Sequence, residues 1–139
     1  MNSLSTHHVG VTVSDLERSL EFYCDVLGFE VASRFTVSGE AFSSGVGIEG
    51  ASASFAHLET GTALVELVEY EPREAPRESP SLNEPGATHL GFRVDDLERF
   101  YAEREDALET ISQPQTTESG ATILFFTDPD GTLIEVLER

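Results

Sequence analysis

The sequence predicts an α+β fold of two βαβββ modules, and three features point that way. First, residues 8–18 read HVGVTVSDLER and residues 89–99 read HLGFRVDDLER, with seven of eleven positions identical. About one would match by chance at average composition. Second, LVELVE at 64–69 is echoed by LIEVLE at 133–138. Each half thus begins on a histidine segment and closes on a glutamate segment, which marks two copies of one supersecondary unit. Third, the apolar period changes from two residues to about 3.6 just after each histidine segment, as expected of a strand running into a helix.

The elements follow in order. Residues 7–13 alternate, with Val9, Val11 and Val13 on one face and His8, Gly10 and Thr12 on the other. Ser14 followed by Glu17 reads as a capping box. Leu16, Leu20, Tyr23 and Leu27 then fall at helical spacing, and Gly28 ends the helix. FEVASRFTV, SASFAHLE and TALVELVEY are three strand-like runs split by turns. The stretch YEPREAPRESPSLNEPGAT carries Pro72, Pro76, Pro80 and Pro85, which predicts an extended connector. The second module repeats the order, with a strand at 88–94 and a helix from about 96 to 106. Its further strands lie near 109–113, 121–127 and 132–138. We expect one domain over 1–139, with module one at about 5–70, a linker at 71–87 and module two at about 88–138.

Composition narrows the function. A length of 139 residues suits one domain, and 39% hydrophobic with 24% charged residues is ordinary for a globular chain. The net charge is −18, there is no lysine, and the eight cationic residues are all arginine. Such self-repulsion argues against nucleic acid or an anionic membrane as partner. The acids are spread along the chain rather than blocked into a tail, which reads as adaptation to high salt. A single cysteine, Cys24, excludes an internal disulfide and a multi-cysteine metal cluster, and its place in a helical pattern gives it a packing role. No apolar run approaches membrane-spanning length, and residues 1–7 are too short and polar for a signal peptide, so a cytoplasmic protein is expected.

Strand alternation decides which side chains meet. The valine and leucine rows pack under their helices, so the other rows face away. On those rows stand His8 and His89, Glu66 between Leu64 and Val68, and Glu135 between Leu133 and Leu137. An ionised carboxylate in an apolar strand is costly unless something compensates it. Two imidazoles and two carboxylates in symmetry-related places suit a divalent metal, with room left for water or substrate. Solvated side chains on an exposed strand face are the alternative, and the repeat weighs against it. Gly10 and Gly91 keep space open beside these residues. A two-residue turn at Thr60-Gly61 would pair Phe55 with Glu66 and His57 with Leu64, turning His57 toward the same cavity, as an ordinary rim residue or as a polar wall. By the same logic Leu124 and Phe126 share the face of Glu135 and form an apolar wall. His7 points to the helix-packed face or to solvent, and TDPDGT is read as a turn.

HHVGVTVSDLERSLEFYCDVLGFE, HLGFRVDD and FFTDPDGTLIEVLE resemble the vicinal oxygen chelate superfamily, over roughly residues 5–138. That superfamily includes glyoxalase I, methylmalonyl-CoA epimerase, extradiol dioxygenases and fosfomycin or bleomycin resistance proteins. The resemblance implies a curved mixed sheet around a metal site, with helices on the outer face. It places His8, Glu66, His89 and Glu135 on the four ligand positions of bacterial-type glyoxalase I. His8 is chosen over His7 because it keeps step with His89, Val94 and Asp96. A complete His-Glu-His-Glu set implies isomerase chemistry, turning a hemithioacetal of a 2-oxoaldehyde into a 2-hydroxyacyl thioester through an enediolate. Glu135 would be the base, with Glu66 as ligand and partner in proton return. The resemblance tilts the metal toward nickel, with cobalt, manganese, zinc or iron also fitting, and implies a homodimer acting on a small molecule. Glutathione-using members carry Arg where this chain has Thr12, Asn where it has Tyr70 and Lys where it has Thr117. Arg93, at the symmetry-related position to Thr12, is the candidate substitute, and the thiol co-substrate stays open. The alternatives are an epimerase or dioxygenase on the same scaffold, or a non-catalytic binding or resistance protein.

Overall fold

A computed structural model of the chain describes residues 2–139. The chain divides into two compact units, one ending at Pro76 and the other spanning Arg77–Arg139. The first contains β1 (His8–Thr12), α1 (Leu16–Leu20), β2 (Glu30–Ser38), α2 (Glu40–Val46), β3 (Ser52–Glu59) and β4 (Leu64–Glu71). The second contains β5 (His89–Arg93), α3 (Leu97–Arg104), β6 (Glu109–Thr110), β7 (Gln115–Thr116), β8 (Thr122–Thr127) and β9 (Leu133–Glu138). Each unit has its own open mixed sheet, ordered β1-β4-β3-β2 in the first and β5-β9-β8-β6 in the second, where β7 also pairs with β8. β1 lies parallel to β4 and β5 parallel to β9, while the remaining pairs are antiparallel. The predicted α+β class with paired modules is what the chain adopts.

α1 and α3 pack on apolar rows of their sheets, although Val9, assigned to the helix-packed row of β1, is exposed. Val11, Val13, Leu16, Leu20, Val65 and Leu67 are buried in the first unit. Leu90, Leu97, Leu124, Phe126, Ile134 and Val136 are buried in the second. The caps differ from the prediction. Asp15, not Ser14, is the N-cap of α1 and accepts from Arg18 N at 3.2 Å. Asp96 does the same for α3, accepting from Arg99 N at 3.0 Å. Glu17 does not reach back as a capping box requires, because its carboxylate pairs with the Arg34 guanidinium.

Glu69 and Glu138 complete the helix starts from the sheets. Glu69 Oε1 accepts from Leu16 N at 2.7 Å, and Glu138 Oε1 accepts from Leu97 N at 2.8 Å. The last glutamate of each echoed segment therefore satisfies an N–H that the helix itself leaves unpaired.

There are three local departures. α1 runs on as a π-helix over Glu21–Val26, with Leu27 N donating to Phe22 O five residues back. Phe22 and Tyr23, adjacent within it, are both buried. α2 was not expected, since its sequence EAFSSGV is poor in helix formers. It is bounded by Gly39 and Gly47, both at positive φ. Finally, the strand foreseen at 109–113 is shortened to β6, and an unforeseen short strand, β7, follows it. Pro114, which has no N–H to give to a ladder, lies between them. Cys24 is half-buried, and burial, then the neighbouring Asp25 carboxylate, pushes its thiol up, in keeping with an inert packing role.

Candidate functional site

Parallel pairing of β1 with β4 sets His8 beside Leu64 and Gly10 beside Glu66. The second unit repeats this register, with His89 beside Leu133 and Gly91 beside Glu135. The imidazole and the carboxylate thus rise from neighbouring strands, two positions out of step, and lean toward one another. His8 Nε2 lies 3.5 Å from Glu66 Oε1, and His89 Nε2 lies 3.3 Å from Glu135 Oε1. Both separations exceed the usual 2.7–3.2 Å of an N–H···O hydrogen bond. Two ligand atoms each about 2.1 Å from one ion stand about 3.0–3.4 Å apart at right-angled to tetrahedral geometry. The donors are borderline nitrogen and hard oxygen, which suits a first-row divalent ion. Each unit therefore offers a two-donor half-site that fits a metal. Among the described residues no group of three or more His, Cys, Asp or Glu is placed to hold an ion.

A methyl group built on Gly10 would sit 3.9 Å from Glu66 Oε1 and 4.0 Å from His8 Cδ2, and one on Gly91 would meet nothing within 4 Å. A β-carbon fits at both positions. What the glycines leave free is the space that larger side chains would fill.

The β3–β4 hairpin corrects one expectation. Its loop is four residues, 60–63, instead of two. His57 therefore pairs with Glu66, and Phe55 pairs with Val68. A slip of two residues keeps every side chain on its predicted face. His57 Nε2 lies 2.7 Å from Glu66 Oε2, with both side chains largely covered (12% and 14% exposed). Phe55 is buried beside Ala53 and Val68, with Phe35 stacked on it at 5.0 Å. His7 is exposed, the second of its two expected placements, and it lies beside the other two imidazoles. Its ring lies 5.1 Å from that of His8 and 6.2 Å from that of His57, and its Nδ1 is 2.8 Å from His8 Nδ1.

The second unit brings a larger correction. Leu124 and Phe126 are not on the face of Glu135. They pair with Val136 and Ile134 and are fully buried on the helix side. The β8–β9 loop has five residues, 128–132, and an odd count flips the parity of the whole strand. Asp128 builds this turn, its Oδ1 accepting from Asp130 N and Thr132 N, both at 2.9 Å. Phe125 is the residue opposite Glu135, and its ring lies edge-on to His89 at 5.2 Å. Ile123, opposite Leu137, shares that face. Arg93 also pairs with Leu137, from the β5 side, and is exposed.

Comparison with known proteins agrees with this architecture. The pattern of the glyoxalase/bleomycin resistance protein/dioxygenase superfamily matches residues 5–136. YaeR, an uncharacterised protein of Escherichia coli K12, is 34% identical, over 96% of this chain and 95% of its own. A 2-epi-5-epi-valiolone epimerase of an Actinomyces species is 26% identical, over 97% and 79%. A probable lactoylglutathione lyase of Synechocystis is 28% identical, over 94% and 92%. The crystal structure of a glyoxalase family protein from Bacillus cereus superposes with a TM-score of 0.86 at 21% identity, over 99% of this chain and 95% of that one, which is a likeness of fold. With a family pattern spanning nearly its whole length and the paired-module fold to match, the chain belongs to the glyoxalase/bleomycin resistance protein/dioxygenase superfamily, the vicinal oxygen chelate proteins.

Proposed function

We propose that the protein is a metal-dependent enzyme that moves a proton α to a carbonyl, of the glyoxalase I type. The observation that carries this reading is the pair of repeat-related imidazole–carboxylate half-sites, 3.5 and 3.3 Å across. His8, Glu66, His89 and Glu135 would hold one divalent cation, with nickel favoured over cobalt, manganese, zinc or iron. When bound, the cation supplies Lewis acidity toward the vicinal oxygens of an α-hydroxycarbonyl substrate.

The chain's own groups do the rest. Glu135 takes the proton from the substrate α-carbon, and the electron pair of that C–H bond passes into an enediolate. The same proton is then given to the adjacent carbon by Glu135, with Glu66 as partner in its return. This leaves a 2-hydroxyacyl thioester where a hemithioacetal entered. Phe125, at 5.2 Å from His89, supplies an apolar wall. Exposed Arg93, on the face of Glu135, is available to an anionic substituent. Thr12, Tyr70 and Thr117 leave the thiol carrier open. A homodimer in the cytoplasm is the setting we propose.

The epimerase relative favours a second reading, in which the same α-proton is removed and returned to the other face of its carbon. One experiment addresses both. Metal-reconstituted protein is incubated in D2O and molar salt, in one arm with methylglyoxal and several low-molecular-weight thiols and in the other with a 2-hydroxy ketone, and products are read by NMR. A 2-hydroxyacyl thioester supports the lyase, and deuterium at the α-carbon of an unchanged 2-hydroxy ketone supports the epimerase. Glu135→Gln should lower turnover by at least about 10²–10³-fold while most of the metal stays bound. Full activity in that variant rejects the role given to Glu135, and oxygen uptake with catechols would replace both readings with a dioxygenase.

A further inference from the structure

The duplicated halves are not chemically equal. The residue across the ladder from Glu66 is His57, and the residue across from Glu135 is Phe125. The residue before His8 is His7, and the residue before His89 is Thr88. Both replacements remove an imidazole from the second unit. We propose that His57 and His7 are positioning residues that hold the Glu66–His8 pair rigid, while the Glu135–His89 pair is left free to move. The proposal rests on the reading that these pairs serve a divalent cation.

Donor and acceptor chemistry carries the argument. An ionised carboxylate only accepts, so at 2.7 Å His57 Nε2 must bear the hydrogen and donate it to Glu66 Oε2. That bond occupies one oxygen and leaves Oε1 turned to His8 Nε2. The His57 ring is itself fixed, edge-on to Phe35 at 5.0 Å and stacked on His8 at 6.0 Å. His8 and His7 meet through their Nδ1 atoms at 2.8 Å, so one of the two carries a hydrogen. When His8 Nδ1 donates to His7 Nδ1, the lone pair of His8 Nε2 is left bare for a ligand bond. In the second unit Phe125 offers a ring with no hydrogen-bond donor. Among the described residues no side chain but His89 lies within ion-pair distance of Glu135. Glu66 cannot swing away without breaking a covered hydrogen bond, whereas Glu135 can, and a base must do so to carry a proton.

The test uses the full chain. Binding of Co²⁺ is measured by calorimetry and by its visible spectrum for wild type, His57→Phe, His57→Gln and Phe125→His, alongside turnover. His57→Phe should weaken Co²⁺ binding about ten- to a hundredfold, and His57→Gln, whose amide still donates, should recover most of that loss. Phe125→His, which gives Glu135 a donor, should slow turnover without loss of Co²⁺. A folded His57→Phe protein with wild-type affinity and spectrum overturns the proposal. So does a variant that loses turnover alone and is not rescued by Gln, because His57 then touches substrate instead. A wild type that binds no cation is a separate failure, of the metal reading itself. Nitrogen NMR of the metal-free protein gives an independent readout, in which His57 should be the Nε2–H tautomer and His8 the Nδ1–H tautomer. The reverse assignment overturns the proposal without any metal present.

Discussion

Phe126 is fully buried and stacks on Phe100 of α3 at 6.4 Å, whereas Phe125 turns to the other face, toward His89. Neighbours of one type therefore predict opposite phenotypes. Phe126→Ala should cost about 3–5 kcal/mol in urea unfolding, as core truncations of this size do. Phe125→Ala should leave stability within about 1 kcal/mol and lower kcat/KM instead, since a side chain outside the core has little cavity to leave. The reverse ranking would restore the face assignment first made from sequence. That assignment failed for a readable reason. TILFFT is apolar at nearly every position, so alternation is silent and only loop length sets parity. An Asx-built turn of odd length was not legible from TDPDGT. His57 was placed on the correct face despite a wrong register, because its loop erred by an even number. That His8 lies beside Glu66 and His89 beside Glu135 was legible because the repeat compares each with its counterpart.

At the scale of elements, the echo of LVELVE in LIEVLE has two meanings. Its first glutamate, Glu66 or Glu135, lies beside a histidine of the neighbouring strand, and its second, Glu69 or Glu138, caps a helix from the sheet. Only the first was read from sequence, since a contact spanning 53 residues in one unit and 41 in the other leaves no local trace. Charge-assisted hydrogen bonds of this kind are worth about 1.5–3 kcal/mol. We expect Glu69→Ala and Glu138→Ala each to lower unfolding free energy by that amount, and Gln at either position to restore part of it through its amide oxygen. Thermal melts of the four variants check this, and equal losses are expected because the two contacts are equivalent. An unchanged midpoint in both alanine variants would show that water satisfies the helix N–H groups equally well. The longer strands and the helix after each histidine segment were legible from period. The π-turn and α2 were not: local propensity does not announce them, and α2 sets a partly buried Phe42 against Ala53, Phe55 and Val68 by tertiary contact.

For the whole molecule, the two-unit organisation was the most legible feature, because duplication writes the same period twice. Charge is the property that this organisation leaves unexplained. Twenty-six acidic residues face eight arginines, for a net charge of −18. Salt then acts in two directions. It weakens exposed pairs such as Arg99 with Glu103, which contribute little in water to begin with. It also relieves repulsion among the acids left over, and these far outnumber the pairs. Raising ionic strength from 0.1 to 1 M shortens the screening length from about 10 to 3 Å, so relief of repulsion should win. We expect the midpoint of thermal unfolding, in chelator and without divalent ions, to rise by about 4 °C or more between 0.1 and 1 M KCl. Most of the rise should fall in the lower half of that range, where the screening length changes fastest. A purely hydrophobic salting effect would keep increasing with salt and would be larger for sulfate. A midpoint that stays flat or falls would mean that the acids are spaced too widely to repel, and the halophilic reading of the composition would have to be given up.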